Sequence, residues 1–467
     1  MSTQGLSAAV AKMEAAGVDA AAIGTFSRLY RLAEEGASGF LREEDVSPLP
    51  TLDRPTPVSP AVAAAALGKT AVMKLNGGLG TSMGMQRAKT LLPVLPDNEG
   101  NTLNFLDVIV RQVRAARAAT GARLPLLLLD SFRTQADTLA HLAQYPDLPV
   151  GELPLSLLQN REPKLTADTL EPVTWPADPS LEWCPPGHGD LYPVLHASGA
   201  VKALLAAGFE YLSVANADNL GSFPSAEIAA WFAASGAPYA AEMARKTPAD
   251  VKGGQLVVRR VDGQIVQRET AQTHPDDMAA SLDASVHRFF HTNNLWFNLS
   301  ALDAELTRTG GVLELPLIRN EKTVDPTDPT SPPVIQLESA MGAAVAVFRG
   351  ATAVEVTRER FLPVKSTSDL LLLRSDLYRL TEAYRLEAQA PAPLIRLGKA
   401  YRNVADFDAR FASGVPSLRE ASSLTIDGDW NFGADTRALG DARLRDAGIP
   451  QTVPAGAVIT RDGLAAG

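Results

Sequence analysis

The stretch Lys74–Pro93, KLNGGLGTSMGMQRAKTLLP, decides the fold. The apolar run just before it, Thr70-Ala71-Val72-Met73, predicts a strand. Gly77, Gly78, Gly80 and Gly84 then fall within eight residues, and Lys89 follows. Glycine lets a backbone approach a ligand closely and adopt positive φ. Successive backbone N–H groups in such a loop form an anion-binding concavity. The stretch therefore predicts a nucleotide-binding turn after the first strand of an α/β sheet. Two common phosphate loops do not fit. A P-loop ending at Lys89-Thr90 needs glycines where Met83 and Ala88 stand. The dinucleotide fingerprint begins at Gly78-Leu79-Gly80 but meets Met83 in place of its third glycine.

Outward from this loop, short apolar runs alternate with helical patterns. Leu124–Leu129 predicts a buried strand ending at Asp130, and Tyr211–Ala215 another ending at Asn216, with residues 191–208 helix-like between them. Such alternation predicts a mostly parallel, doubly wound sheet. Ligands bind such sheets at the carboxyl ends of strands, where the glycine loop, Asp130 and Asn216–Asp218 all fall. Residues 1–45 read as helical, with Leu6, Val10 and Met13 on one apolar face and Phe26, Leu29, Tyr30 and Ala33 on another. Residues 46–60 carry five prolines and read as an extended surface linker. Gly254–Val258 and Gln264–Glu269 read as a hairpin, and Phe289–Leu299 as a further strand. Residues 319–333 read as a long loop, Arg358–Lys365 as a return to the site, and 366–388 as helical. Beyond Pro391 and Pro393 short β-type pieces recur at Pro393–Gly398, Ser423–Ile426, Asn431–Gly433 and Pro454–Ile459. The expected division is a helical segment at 1–45, a catalytic domain at 46–388 and a small β-rich domain at 389–467.

A formal net charge of −10 argues against non-specific nucleic-acid binding, which needs a basic surface. It also requires that any polyphosphate site gather its cations locally. Cys184 is the one cysteine, so no intrachain disulfide forms. No apolar run is long enough for a membrane span, and the first residues lack the pattern of a signal peptide, so the expectation is cytoplasmic, with no membrane partner. No H-x-x-x-H or Cys/His cluster suggests zinc.

The loop string resembles the signature of the eukaryotic-type UTP–glucose-1-phosphate uridylyltransferases. Further strings resemble that family in its own order: PPGHGD at Pro185–Asp190, NADNLG at Asn216–Gly221, ADVKGG at Ala249–Gly254, HTNNLW at His291–Trp296, VIQLESAMGAA at Val334–Ala344 and RFLPVKSTSDLLL at Arg360–Leu372. The resemblance spans roughly residues 70 to 460. It implies a Rossmann-like, GT-A-like nucleotidyltransferase core of mixed sheet, with a C-terminal left-handed parallel β-helix. DGDWNFG at Asp427–Gly433 and VPAGAVI at Val453–Ile459 look like coils of that helix.

The activity implied joins UTP and glucose 1-phosphate to give UDP-glucose and pyrophosphate, with Mg²⁺ as cofactor. Such chemistry needs no protein nucleophile; it needs in-line positioning and charge neutralisation. The resemblance implies Lys89, Lys365 and Asp218 as the catalytic groups, with Asp218 on the metal. It implies that Leu75, Asn76, Gly77 and Gly78 hold uracil and ribose through the loop backbone. Gln159 would read the uracil edge, because an amide donates and accepts at once. Gly187 would lie against the uracil and His188 would bond the sugar phosphate. Asn216, Gly254, Glu269 and Asn293 complete the sugar side, with Lys252 a further cation there. Asn293 and Asn294 should face opposite sides of a strand, so only one can line the pocket. Plainer roles remain open for several of these residues: a helix cap for Asp218, a loop cap for His188, exposed surface for the lysines. Alternative functions are a pyrophosphorylase of other or broad sugar 1-phosphate specificity, and a catalytically silent sugar-nucleotide-binding protein. The β-rich C-terminal domain is a candidate surface for homo-oligomer assembly, since stacked coils leave an open end.

Overall fold

Thr70–Asn76 (β1) is buried on both faces and lies inside a seven-stranded sheet, in a computed structural model that describes residues 3–37, 39–97, 99–247, 250 and 253–465. The other strands of this sheet are Leu126–Asp130 (β2), Ser156–Leu158 (β3), Tyr211–Asn216 (β4), Tyr239–Arg245 (β5), Phe289–Asn298 (β6) and Thr352–Val356 (β7). Their order is β7-β5-β6-β4-β1-β2-β3. β1 pairs in parallel with β4 and β2, Met73 lying beside Val214 on one side and Leu127 on the other. β6 runs antiparallel to both β4 and β5, so the sheet is mixed rather than wholly parallel.

Burial on both faces explains the apolar run Ala71–Met73 within β1. Ala71 and Met73 pack on one face with Val201, Leu204, Leu302 and Leu306 of two helices. Val72 packs on the other with Phe105, Ile109 and Val113 of the helix Phe105–Thr120, and with Phe232. Sheets with parallel strands are covered on both faces in this way. Residues 191–208 are helical as expected, but as two helices broken at Gly199, whose φ of 67° is open to glycine.

The two N-terminal helices, Thr3–Ala15 and Ala20–Glu34, bury Ala9, Met13, Phe26, Leu29 and Tyr30 against Leu165, Leu317, Ile335 and Leu337. The surface they cover corrects one expectation. Residues 319–333 are not all loop, because Ile318–Thr323 pairs antiparallel with Pro333–Glu338. Arg319, Glu321 and Lys322 face outward or lie at the edge, and that polar composition hides the strand. The proline-rich 46–60 segment also begins as a strand, with Val46–Pro48 paired to Gln255–Arg259 of the expected hairpin. Residues 366–388 are helical only over Thr367–Arg374, which Ser366 and Asp369 cap reciprocally; Tyr378–Leu380 and Leu386–Ala388 then form a hairpin.

C-terminal strands stack in parallel. Leu394–Leu397 lies beside Ser423–Ile426, Ser417–Ile426 beside Arg437–Leu444, and Trp430–Phe432 beside Gln451–Val453. Arg437–Leu444 is a strand that the sequence reading passed over, because only alternate residues of it are buried. Tyr401, Phe407, Phe411 and Phe432 belong to one apolar cluster with Leu370, Leu371 and the core of the main sheet.

Beneath the carboxyl end of the sheet lies a buried ion pair. Arg360 donates to both carboxylate oxygens of Glu242, at 2.7 and 2.9 Å, and Trp296 Nε1 and Asn294 Nδ2 donate to the same carboxylate. Removing one partner would leave a charge uncompensated in the interior. Arg360→Met should therefore lower stability by about 3–5 kcal/mol in urea unfolding, and a loss under about 1 kcal/mol would contradict this role for the pair.

Candidate active site

Three strand ends and one returning loop build the site. After β1 the chain turns through Gly77 and Gly78, then through Gly80 and Gly84, whose φ values are 69° and 73°. Gly78 has open space where a side chain would stand. The Lys89 N–H donates to Gly78 O at 3.0 Å, which folds the lysine back over the loop. After β4 the chain presents Asn216 and Asp218. The loop 358–365 returns across this edge, Val364 N–H donating to Asp218 O at 3.1 Å. Lys365 thereby reaches the same place.

Asp218 Oδ2 accepts from Lys89 Nζ and from Lys365 Nζ, each at 2.7 Å. Its Oδ1 is buried and unbonded among the described residues. Burial alone would raise this carboxyl, but the two ammonium groups hold it below the usual carboxylate range. The lysines differ in exposure: the Lys89 side chain is 12% exposed and also bonds Val364 O, whereas that of Lys365 is 60% exposed and can follow a ligand.

Beside this cluster, Gln159 Nε2 donates to Gly187 O at 2.9 Å. A side chain on Gly77 would meet Gln159 Oε1 at 2.7 Å, so these three residues adjoin. His188 Nδ1 accepts from Met341 N–H at 2.9 Å. The imidazole proton is then on Nε2, the atom left to donate. Burial and the nearby Lys365 push this histidine down to about 4. A third group lies beyond it. Glu269 accepts from Gln267, and a side chain on Gly254 would meet Glu269 Oε1 at 2.7 Å. Burial pushes the Glu269 carboxyl up to about 7. Asn293 N–H donates to His291 Nδ1 at 3.1 Å. Burial also pushes His291 down to about 4, against the opposing hydrogen bond with Asn293.

Asn293 and Asn294 do part company, though not by simple alternation. Asn293 has φ of 58°, and the β5–β6 register shifts so that Ala241 faces Leu295 while Met243 faces His291. This bulge turns Asn294 into the Glu242–Arg360 network and leaves Asn293 half-buried with His291. Bulges commonly re-aim a side chain in this manner. Asn216 ends β4 with its carboxamide unbonded among the described residues.

Some expectations need correcting. Asp130 is not a rim residue: it is fully buried and bonded to Asn76 Nδ2 and Ser156 Oγ, both at 2.6 Å. Asn76 is spent on the same contact, with Thr90 donating to its Oδ1, so its side chain faces the interior. Leu75 O accepts from Ala217 N–H, joining the two strand ends. Lys252 lies outside the described residues, as does much of the ADVKGG string. The sequence reading gave no role to the 338–342 segment. It seats His188: Gly189 N–H donates to Ser339 O at 2.8 Å, and side chains on Gly187 and Gly189 would collide with Glu338 and Ser339. The two glycines flanking the histidine were the legible signal of a backbone packed against it.

The sheet and these clusters define a class: an α/β protein with a glycine-rich loop and a shared-carboxylate lysine pair at its strand ends. Comparison with known proteins narrows it. The family model for UTP–glucose-1-phosphate uridylyltransferase matches residues 32–438. The uridylyltransferase of Saccharomyces cerevisiae is 42% identical over 378 residues, 80% of this chain and 73% of its own length. That of Solanum tuberosum is 39% identical over 416 residues, 87% and 84% of the two lengths. The UDP-glucose pyrophosphorylase of Leishmania major, solved in open and closed forms, superposes with a TM-score of 0.89 at 38% identity over 99% of each chain. The chain belongs to the UTP–glucose-1-phosphate uridylyltransferase family. No helix among the described residues is long and apolar enough to cross a membrane.

The two lowered histidines set a stability dependence. Folded, they stay neutral down to about pH 4, while unfolded imidazole takes its proton near pH 6.5. Stability should hold above about pH 6.5 and fall as the pH drops towards 4. Imidazole NMR signals of His188 and His291 should not titrate between pH 8 and 5.5; a midpoint near 6.5 for either would contradict its burial.

Proposed function

We propose that this chain transfers the uridylyl group of UTP to glucose 1-phosphate, releasing pyrophosphate. A phosphate oxygen of the sugar forms the new bond to the α-phosphorus of UTP. The bond from that phosphorus to the bridging oxygen of the β-phosphate breaks, and the electron pair leaves with pyrophosphate. A phosphate dianion needs no base to attack, so the protein's task is alignment and charge neutralisation. The observation that carries the reading is the Asp218 cluster, where two lysines converge on one carboxylate oxygen while the other oxygen is unbonded.

Lys89 and Lys365 are assigned to the phosphates of UTP, Lys365 following the charge as it moves to the leaving group. Gly77, Gly78 and Gly187 are assigned to the nucleoside by backbone contact, with Leu75 and Asn76 shaping the strand end behind them. Gln159 is assigned to the uracil edge. His188 is assigned to the sugar phosphate as a neutral Nε2–H donor, and Asn216, Gly254, Glu269 and Asn293 to the sugar. Mg²⁺ fits Asp218: the free Oδ1 is a hard oxygen ligand, and no group of three or more His, Cys, Asp or Glu among the described residues forms a metal cage. A single carboxylate plus substrate phosphates is the usual protein share of a Mg²⁺ site. When bound, the ion supplies further positive charge to the phosphates.

The division into 1–45, 46–388 and 389–467, the left-handed sense of the C-terminal coils and their use in assembly belong to the same proposal. The parallel stacking of Leu394–Leu397, Ser417–Ile426 and Arg437–Leu444 supports the coil reading.

Pyrophosphate release by the purified chain with UTP, Mg²⁺ and a panel of sugar 1-phosphates tests the function. Release with glucose 1-phosphate alone is expected. Release with several sugars would replace the narrow specificity with a broad one, and UTP binding without release would leave a silent binder. Lys365→Ala should lower kcat tenfold or more with the fold intact, and near-normal turnover would remove its role. Asp218→Asn should raise the Mg²⁺ concentration needed for half-maximal rate steeply; an unchanged requirement would take it out of the metal site.

A further inference from the structure

Gln267 is 2% exposed, on the hairpin strand Ile265–Arg268, and the sequence reading gave it no role. Its Nε2 donates to Glu269 Oε1. Its Oε1 is buried and has no partner among the described residues, and the same is true of His291 Nε2. Both side chains pack against Gly342. A side chain on Gly342 would meet Gln267 Oε1 at 2.2 Å and His291 Cε1 at 2.8 Å.

A buried carboxamide with an unbonded oxygen costs about 1–3 kcal/mol. A methionine or leucine of similar volume would avoid that cost, so packing does not explain glutamine here. What glutamine alone provides is an N–H for Glu269. Glu269 needs one. It is a carboxyl that burial pushes up to about 7, and the Gln267 hydrogen bond is what opposes the push. The other charged or titratable groups on the adjoining elements are occupied or neutral. Arg268 and His287 both bond Glu43 on the far side of the hairpin, at 2.9 and 2.8 Å, and His291 and His188 are held neutral by burial. His274, on the segment after Glu269, packs its ring on Phe40.

We infer that Gln267 is a positioning residue for sugar recognition: it holds Glu269 oriented and ionised towards the sugar hydroxyls, while His291 orients Asn293 within its own strand. This rests on Glu269 and Asn293 being the sugar partners, as proposed above. Only an ionised Glu269 accepts hydrogen bonds with both oxygens. Gln267 therefore governs the pH range over which the chain binds its sugar phosphate, without touching it.

The test compares Gln267→Met with Glu269→Gln and the unchanged chain, using KM for glucose 1-phosphate from pH 6 to 9 and KM for UTP alongside. Gln267→Met keeps the volume and exchanges one lone oxygen, that of the carboxamide, for another on Glu269, so its thermal midpoint should stay close to that of the unchanged chain. Its KM for glucose 1-phosphate should rise roughly fivefold at pH 7, the loss of ionised fraction for an upward shift of about one unit. The difference should close by pH 9, and KM for UTP should not change. Ionisation of the sugar phosphate itself is common to all three proteins and cancels in the comparison. Glu269→Gln should raise KM for the sugar phosphate at every pH. If Glu269→Gln does so and Gln267→Met matches the unchanged chain, or rises equally at all pH, the inference about Gln267 is overturned and the sugar role of Glu269 stands. If Glu269→Gln leaves that KM unchanged, the sugar role of Glu269 falls, and the inference falls with it.

Discussion

Two ammonium groups share one carboxylate oxygen at the heart of this molecule. Lys89 and Lys365 lie 129 and 147 residues from Asp218 along the chain, yet each places Nζ at 2.7 Å from its Oδ2. One negative charge does not neutralise two positive ones. The free protein therefore holds a local excess of positive charge in a chain whose net charge is −10. Such an arrangement is poised for an anion. In a partly buried setting this field acts with less screening than it would in water. The same cluster keeps Asp218 ionised and one of its oxygens free.

Holding that cluster requires a rigid floor. The Arg360 carbonyl accepts from Asn219 Nδ2 and Asn294 Nδ2, while the Arg360 guanidinium clamps Glu242. Asn219 Oδ1 in turn accepts from Leu362 N–H, which fixes the loop carrying Lys365 against the strand end carrying Asp218. Lys74, fully buried in β1, caps the adjoining turn by bonding Ser222, and burial lowers it to about 7. A buried network of this kind is costly to break and sets one geometry. The β6 bulge belongs to the same design. It sends Asn294 into the floor and leaves Asn293 in the site.

Much of this was legible in the sequence, for physical reasons. The glycine loop announces itself because close backbone approach and positive φ exclude most other residues at Gly80 and Gly84. The strands of the core were legible because β1 and β2 are apolar on both faces. The strand Ile318–Thr323 was not, since its exposed positions are charged and carry no hydrophobic pattern. Nor was the fate of Asp130, because a carboxylate at a strand end reads alike whether it faces solvent or Asn76. The resemblance named candidate site residues, but not the residues that support them. Met341 and Glu242 act through buried contacts with partners far away in the chain, and spacing holds no record of these. The helix over 366–388 was overextended because a capping box marks where a helix starts, and the stop at Ser375 lacks a glycine or proline.

The central claim is that the sugar phosphate displaces pyrophosphate directly, with no side chain of the protein bonded to phosphorus along the way. Stereochemistry at the α-phosphorus tests this most directly, using UTP made chiral there by a single sulfur substitution. One in-line displacement inverts the centre. The account predicts UDP-glucose analogue of inverted configuration; retention would require two displacements and a covalent protein intermediate, and would contradict it.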